Sequence, residues 1–332
     1  MQRTAYRLAA LGLAAALAFA GCGGASPGGT ASPGGSAPAR STTALSTPDT
    51  ALSNSASPGG AAQPGWPGYG EVTPGSVYHG EIDILTPEAP GTVVYAGEGV
   101  TIDASYASEG YIMVRCEGVS VRVKVRVTHE GEEYLYNLNN QGRYEVLPLQ
   151  MGSGSYEVKV FKQVEGSKYT PLYTAAVDAE MSDENRVFYY PSQYVWYTNE
   201  ADAVQLSYDL CNGLTDPEEK VSTIYDYLVW YMEYDYDKAE QIQNGTLTGY
   251  IPDLGEVLAA GKGICFDYSG LLAAMLRAQD IPVRLVMGYL SPDGIYHAWN
   301  QVYLDDEWVW MDATLGPRDS HTEKDYAPDR VY

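Results

Sequence analysis

Cys265, His297 and Asp312 are the side chains whose types and order could make an acyl-transfer centre. Cys265 follows the break Gly261-Lys262-Gly263-Ile264, and a helical pattern begins at once. The cysteine therefore belongs at or next to a helix N-terminus. Unpaired backbone N–H groups and the positive end of the helix dipole favour a thiolate there, and the thiolate is the nucleophilic form. A buried, inert cysteine at a helix end has the same local signature, so the choice rests on what the next fifty or so residues bring to it.

Those residues predict a strand at Ile281–Leu290, a turn at Ser291-Pro292-Asp293-Gly294, a strand at Tyr296–Leu304 and a returning strand at Trp308–Thr314. Asp305-Asp306 suits a two-residue hairpin loop. If Leu304 pairs with Glu307, Trp299 falls opposite Asp312 and His297 opposite Thr314. Residues two apart share a face, so His297 and Asp312 lie diagonally within reach on one face. A slip of one residue would send Asp312 to the other face. The carboxylate can hold one imidazole tautomer and favour its cation, and the imidazole can favour the thiolate of a nearby Cys265. A lone histidine in a strand or a lone aspartate at a strand end is ordinarily structural. The joint occurrence of the three, in order, is what favours chemistry.

The elements that must position them are also legible. Leu271, Leu272, Met275 and Leu276 fall on one face, as in an amphipathic helix that starts at the cysteine. Upstream, Asn199 is an expected cap for a helix to about Cys211, with Gly213 as its stop. Asp216-Pro217-Glu218-Glu219 opens a second helix with Val221, Ile224, Tyr225, Leu228 and Met232 on its buried face. Gln241 to Pro252 reads as loop. Asp235 and Asp237 have the look of a cation pair, but two acids at a helix end without further oxygen ligands read as solvated.

The segments Gly263-Ile264-Cys265-Phe266-Asp267-Tyr268-Ser269, Ile281-Pro282-Val283-Arg284, His297-Ala298-Trp299 and Trp308 through Asp312-Ala313-Thr314 resemble the transglutaminase-like superfamily over residues 215–315. The resemblance implies an α+β fold with a papain-like core, a central Cys helix packed on an antiparallel sheet. By motif position it places the nucleophile on Cys265, the base on His297 and the orienting acid on Asp312. Many members carry Glu two residues after the motif Trp; here that position is Gln301. Papain-type proteases place an oxyanion-stabilising Gln shortly before the Cys; here Ala259 lies in that neighbourhood. The Cys265 N–H can supply one oxyanion donor; Tyr250 and Trp230 are candidates for the second. No cofactor or metal is expected: His297 with His321 would suggest a metal hydrolase, but His321 sits in a polar tail without ligand spacing.

The whole chain bounds the setting. It has 332 residues, 20 Lys+Arg against 43 Asp+Glu, and a net charge of −23, with no basic run to suit nucleic acid. A short basic start (Arg3, Arg7) and an apolar run from Leu8 to Ala20, too short to span a bilayer, predict a signal segment at 1–21. Leu17-Ala18-Phe19-Ala20-Gly21-Cys22 resembles the bacterial lipoprotein signal, with Cys22 as the lipid attachment site and the membrane met only through that anchor. Residues 22–76 are rich in Gly, Ser, Pro and Ala, and repeat Ala-Ser-Pro-Gly-Gly at 25–29, 31–35 and 56–60. They predict a flexible tether with an r.m.s. span of about 40 Å.

Residues 77–181 predict a small β-sandwich, with Val119–Val127 as an unbroken alternating strand, Glu130-Gly131 as a turn and Tyr134–Leu138 returning. His79 and His129 read as surface or loop residues. Cys116 and Cys211 read as core residues, with a bridge between them as the alternative outside the cytoplasm. Residues 182–332 form the catalytic region. The expectation is an extracytoplasmic, lipid-anchored enzyme acting on amide bonds of a protein or peptide substrate at the cell surface or in the cell wall. The alternative is a non-catalytic adhesive or scaffolding lipoprotein with a remnant triad.

Overall fold

The computed structural model describes residues 72–75, 77–315 and 321–332. The expected signal segment, Cys22 and nearly all of the tether lie outside the described residues. Among the described residues no helix is long and apolar enough to cross a membrane.

Alternating sequence becomes antiparallel pairing in the first half. The strands are β1 (Val94–Gly97), β2 (Val100–Asp103), β3 (Tyr111–Cys116), β4 (Val123–His129), β5 (Glu132–Leu138), β6 (Glu145–Pro148), β7 (Gly154–Glu165) and β8 (Lys168–Ala179). They form two four-stranded sheets, ordered β1-β2-β3-β6 and β5-β4-β7-β8. Val123, Val125 and Val127 are buried while Lys124 and Arg126 between them are not. The same alternation in the other strands gives each sheet an apolar face, and Ile102 and Val114 of one sheet share a core with Val125, Tyr136 and Val158 of the other.

Two expectations in this half are corrected, and the reading of Cys116 and Cys211 as core residues holds. The ladder of β4 begins at Val123, not Val119; the Val121 carbonyl is taken instead by the Asn140 side chain, 3.1 Å away. His129 is neither a surface nor a loop residue. It is buried at the end of β4, its Nδ1 lies 3.0 Å from the Ser155 carbonyl, and its ring stacks on Tyr156 with centroids 4.5 Å apart. Cys116 and Cys211 are both buried and free, so no bridge joins them.

The second half contains α1 (Asp202–Leu210), α2 (Pro217–Tyr231), β9 (Glu233–Tyr234), α3 (Tyr236–Gln243), α4 (Leu254–Ala260), β10 (Lys262–Gly263), α5 (Cys265–Arg277), β11 (Val283–Leu290), β12 (Ile295–Leu304), β13 (Glu307–Met311) and β14 (Tyr326–Val331). The last four strands form an antiparallel sheet ordered β13-β12-β11-β14. α5 packs on β11 and β12 and is covered by α1, α2 and α4. It is the central helix of a mixed α/β fold, preceded by a β-rich region.

Packing on all sides overturns the amphipathic reading of α5: every one of its residues is buried, Asp267, Ser269 and Arg277 included. Polar side chains survive there because the backbone satisfies them. Asn300 of β12, fully buried, donates to the Ser269 carbonyl at 3.0 Å. Ser207 of α1 donates to the Met275 carbonyl at 2.7 Å. Among the described residues Arg277 pairs with no Asp or Glu side chain. Its guanidinium donates to the carbonyls of Tyr190, Val283 and Tyr332 at 2.7, 2.6 and 3.1 Å, and burial lowers its pKa to about 10.

α2 starts as expected, with Pro217 in its first turn and the Asp216 carboxylate accepting from the Glu218 N–H at 2.8 Å. α1 starts two residues later than Asn199 would place it, because Ala201 takes the extended cap conformation; it ends at Leu210 with Cys211 as its cap, as expected, and Gly213 just beyond is left-handed. Asn199 contributes its carbonyl, which accepts from Gln205 at 2.8 Å. α3, α4 and β14 were not foreseen. α3 spans only eight residues and buries none of them fully, α4 spans only seven residues, and β14 contains Pro328, which ordinarily argues against a strand. At the sheet edge the proline costs no ladder bond to a further strand.

Gly288 makes β14 possible. It stands opposite His297 on one side and Pro328 on the other. A Cβ there would strike the Ala327 carbonyl and come within 2.8 Å of the Trp299 ring. Gly288→Ala is therefore expected to cost about 1–3 kcal/mol of stability, read as a lower urea midpoint at unchanged slope. A wild-type midpoint would mean that β14 yields freely.

Candidate active site

The N-terminus of α5 is held by a buried knot. Asp267, with 0% exposure, accepts from the Ile264 N–H at 2.8 Å, the Tyr250 hydroxyl at 2.6 Å and the Lys238 ammonium at 2.8 Å. Lys238 also donates to the Tyr250 oxygen at 2.9 Å. A carboxylate at the third helical position is well placed to take an unpaired N–H ahead of the helix and to complement its dipole. Gly263 leaves room for it, since a Cβ there would lie 2.6 Å from that of Asp267. Burial above all, then the Asp267 charge, pushes the Tyr250 pKa far up. Tyr250 thus stays a neutral donor to Asp267 and has no proton left for an oxyanion.

Cys265 is the first residue of the helix that this knot fixes, and is 5% exposed. His297 comes from β12, and its Nε2 lies 2.6 Å from Asp312 Oδ2. With Nε2 committed to the carboxylate, Nδ1 is the ring nitrogen left for the sulfur. Burial works against a charged imidazole. It is outweighed by the negative charge of Cys265 and the hydrogen bond to Asp312, with the approach of Cys265 to the ring adding to both, so that the His297 pKa rises from 6.5 to about 10. The three side chains singled out in the sequence therefore meet, in an arrangement that favours the imidazolium.

The register explains how. Asp305 and Asp306 both take left-handed backbone conformations, at φ 49° and 65°, and the ladder runs from Leu304–Glu307 to Asn300–Met311 as expected. It then stops: Trp299–Asp312 and His297–Thr314 are not ladder pairs. Asp312 Oδ1 captures the N–H groups of Thr314 and Leu315 at 2.9 and 3.2 Å and bends the chain into a turn. That turn, rather than a continued strand, aims Oδ2 at the imidazole.

Oδ2 also accepts from the Tyr326 hydroxyl of β14 at 2.8 Å, while the Asp312 carbonyl accepts from Tyr225 at 2.9 Å. Burial would raise the Asp312 pKa, but the His297, Tyr326 and Leu315 donors and the imidazolium charge hold it below the usual carboxylate range. Tyr326 and Tyr225 were missed from sequence, since each reaches the site only through tertiary packing. Asp267 left a trace, an acid two residues after the cysteine expected at the helix start.

The remaining candidates lie elsewhere or do other work. Trp230 packs against the rings of Tyr227 and Tyr231, with centroids at 5.7 and 6.4 Å. Ala259 is on the exposed face of α4, and Gln301 sits in the sheet between Arg284 and Trp310. Asp235 caps α3 and pairs with Lys262 at 3.1 Å, whereas the Asp237 side chain is 86% exposed. His321 packs edge-on to Tyr326. Among the described residues no group of three or more His, Cys, Asp or Glu could hold a metal ion.

The pattern of the transglutaminase-like superfamily matches residues 204–313. The kyphoscoliosis peptidase of Mus musculus is 28% identical over 122 residues, 34% of this chain and 18% of that protein. Cytokinesis protein 3 of Schizosaccharomyces pombe is 38% identical over 69 residues, 18% of this chain and 8% of its own. The chain thus spans less than a fifth of the curated relatives it matches. A solved structure from Cytophaga hutchinsonii, described as a candidate cysteine protease, is 18% identical, covers 67% of this chain and 83% of its own, and gives a TM-score of 0.37. A solved TGase is 24% identical, covers 36% of this chain and 31% of its own, and gives a TM-score of 0.28.

Proposed function

Since residues 204–313 belong to the transglutaminase-like superfamily, we propose that this chain is a cysteine enzyme acting on amide bonds through a thioester. The observation that carries the reading is the buried His297–Asp312 pair at 2.6 Å with Cys265 against the same imidazole. The Cys265 thiolate attacks the amide carbonyl, forming a C–S bond while the C=O π pair moves onto oxygen. The tetrahedral species collapses, the C–N bond breaks, and the imidazolium gives its proton to the leaving amine. The neutral imidazole then takes a proton from water, or from an acceptor amine, as that nucleophile breaks the thioester and restores the thiolate. Asp312 stays ionised and holds the ring through both halves.

Hydrolysis is the favoured fate: among the described residues no acceptor-amine site is evident, water is abundant, and the mammalian relatives sharing this segment are named peptidases. The substrate is a protein or peptide of the cell surface or cell wall, reached by an enzyme tethered through a lipid on Cys22. Incubating the mature chain with a glutamine-containing peptide library and a biotinylated amine separates the fates. A new carboxylate, as a free C-terminus or as Gln converted to Glu, marks hydrolysis, biotin incorporation marks transamidation, and neither product with active control enzymes would sink the proposal. Metabolic palmitate labelling that is absent from wild type, or that survives Cys22→Ala, would remove the anchor.

A further inference from the structure

Among the described residues two hydrogen-bond donors near the start of α5 have no partner. The Cys265 N–H is the first of the helix, where no preceding carbonyl can reach it. Asp267 satisfies the neighbouring Ile264 N–H instead, and among the described residues no acceptor meets that of Cys265. The second donor is the hydroxyl of Tyr234. β9 and β10 pair in parallel with Tyr234 opposite Gly263, fixed by the Glu233 N–H on the Gly261 carbonyl and the Asp235 N–H on the Gly263 carbonyl, both at 2.8 Å. This short pairing places Tyr234 beside the segment that enters α5, two residues ahead of the nucleophile.

The Tyr234 ring is half-buried and braced edge-on by Tyr236 at 5.0 Å. Among the described residues its hydroxyl takes no hydrogen-bond partner, in contrast to Tyr225, Tyr250 and Tyr326, each of which spends its proton on a named acceptor. Burial and then the charge of Cys265 raise its pKa, so the hydroxyl keeps its proton and lies within electrostatic range of the sulfur. A protonated, unspent phenol near a thiolate is equipped to meet negative charge as it develops on an attacked carbonyl.

We infer that the Tyr234 hydroxyl and the Cys265 N–H together form the oxyanion hole, with Tyr234 as the side-chain donor that neither Tyr250 nor Trp230 supplies. The assignment rests on the acyl-transfer reading above and adds a catalytic residue to it. As the thiolate adds, the carbonyl oxygen gains the π electron pair and accepts from both donors. No proton is transferred, and the pair returns when the leaving group departs.

The test uses p-nitrophenyl acetate, which can acylate a reactive cysteine without the natural substrate, and iodoacetamide, which alkylates sulfur by displacement and forms no oxyanion. Tyr234→Phe keeps the ring and its packing. It is expected to slow the p-nitrophenolate burst by about 100-fold or more, with KM within threefold and the alkylation rate of Cys265 unchanged. A burst at the wild-type rate overturns the assignment and leaves the enzyme reading intact. Equal losses in burst and alkylation mean that Tyr234 positions or activates the sulfur, which also overturns it. Wild-type protein that alkylates at Cys265 but gives no burst overturns acyl transfer, and this assignment with it.

Discussion

Replacing Cys265 by Ala is expected to lower turnover by about four to six orders of magnitude, the loss seen when the nucleophile of a covalent catalytic unit is removed. The protein should still fold, because the side chain is small and the start of α5 is held by Asp267, Tyr250 and Lys238 rather than by the sulfur. Iodoacetamide supplies an independent readout. Cys116, Cys211 and Cys265 are all buried, and burial raises the pKa of Cys116 and of Cys211, that of Cys211 to about 12. Alkylation of the native mature protein should therefore fall on Cys265 and vanish in Cys265→Ala. Cys265→Ala protein that keeps peptide hydrolysis ends the nucleophile assignment. Unchanged function in cells, with no thiol labelling of the wild type, would favour the adhesive or scaffolding alternative.

Asp312→Asn is expected to reduce kcat by about 10⁴-fold and to change the pH profile. The His297 pKa stands at about 10 because the Cys265 charge and the Asp312 hydrogen bond overcome burial. Its folded value lies above the unfolded one, so the stability it contributes is complete below about pH 6.5 and is lost as pH rises through about 10. Asp312 has the opposite sign. Its pKa is lowered, so its contribution is present above the ordinary carboxylate value near 3.8 and is lost as pH falls through the folded value. If the imidazolium is the proton donor, kcat/KM of the wild type falls on the alkaline side near pH 10. Asp312→Asn removes one of the groups holding that proton and moves the limb to lower pH. An unmoved limb in a folded variant would show that the limb belongs to another group.

Local rules carried the sequence reading where the chain obeys them. The glycine break before Cys265 places it at the first residue of α5, and Asp305-Asp306 forms the tight loop that sets the phase of His297. The meeting of His297 with Asp312 was legible for that reason, although the last step is a side-chain-to-backbone turn that alternation does not encode. Polar residues on α5 suggested a wet face; only tertiary partners, such as the Asn300 amide on the Ser269 carbonyl, make it dry. β14 and its Tyr326 were hidden behind a proline and a long sequence separation, and no local pattern announces either. Tyr234 lies in a two-residue strand, too short to leave a periodic signal.

Arg277 carries a consequence for how loss of activity should be interpreted. The rod that presents the sulfur at one end is stapled at the other to chain leaving the β-rich half, to the next strand and to the Tyr332 carbonyl. Pulling that staple would let the rod shift as a unit, so a lesion on the opposite side of the protein would masquerade as a defect in chemistry. A mutational survey scored by turnover alone would rank Arg277 with the reacting groups, and a thermal melt on each hit would separate the two.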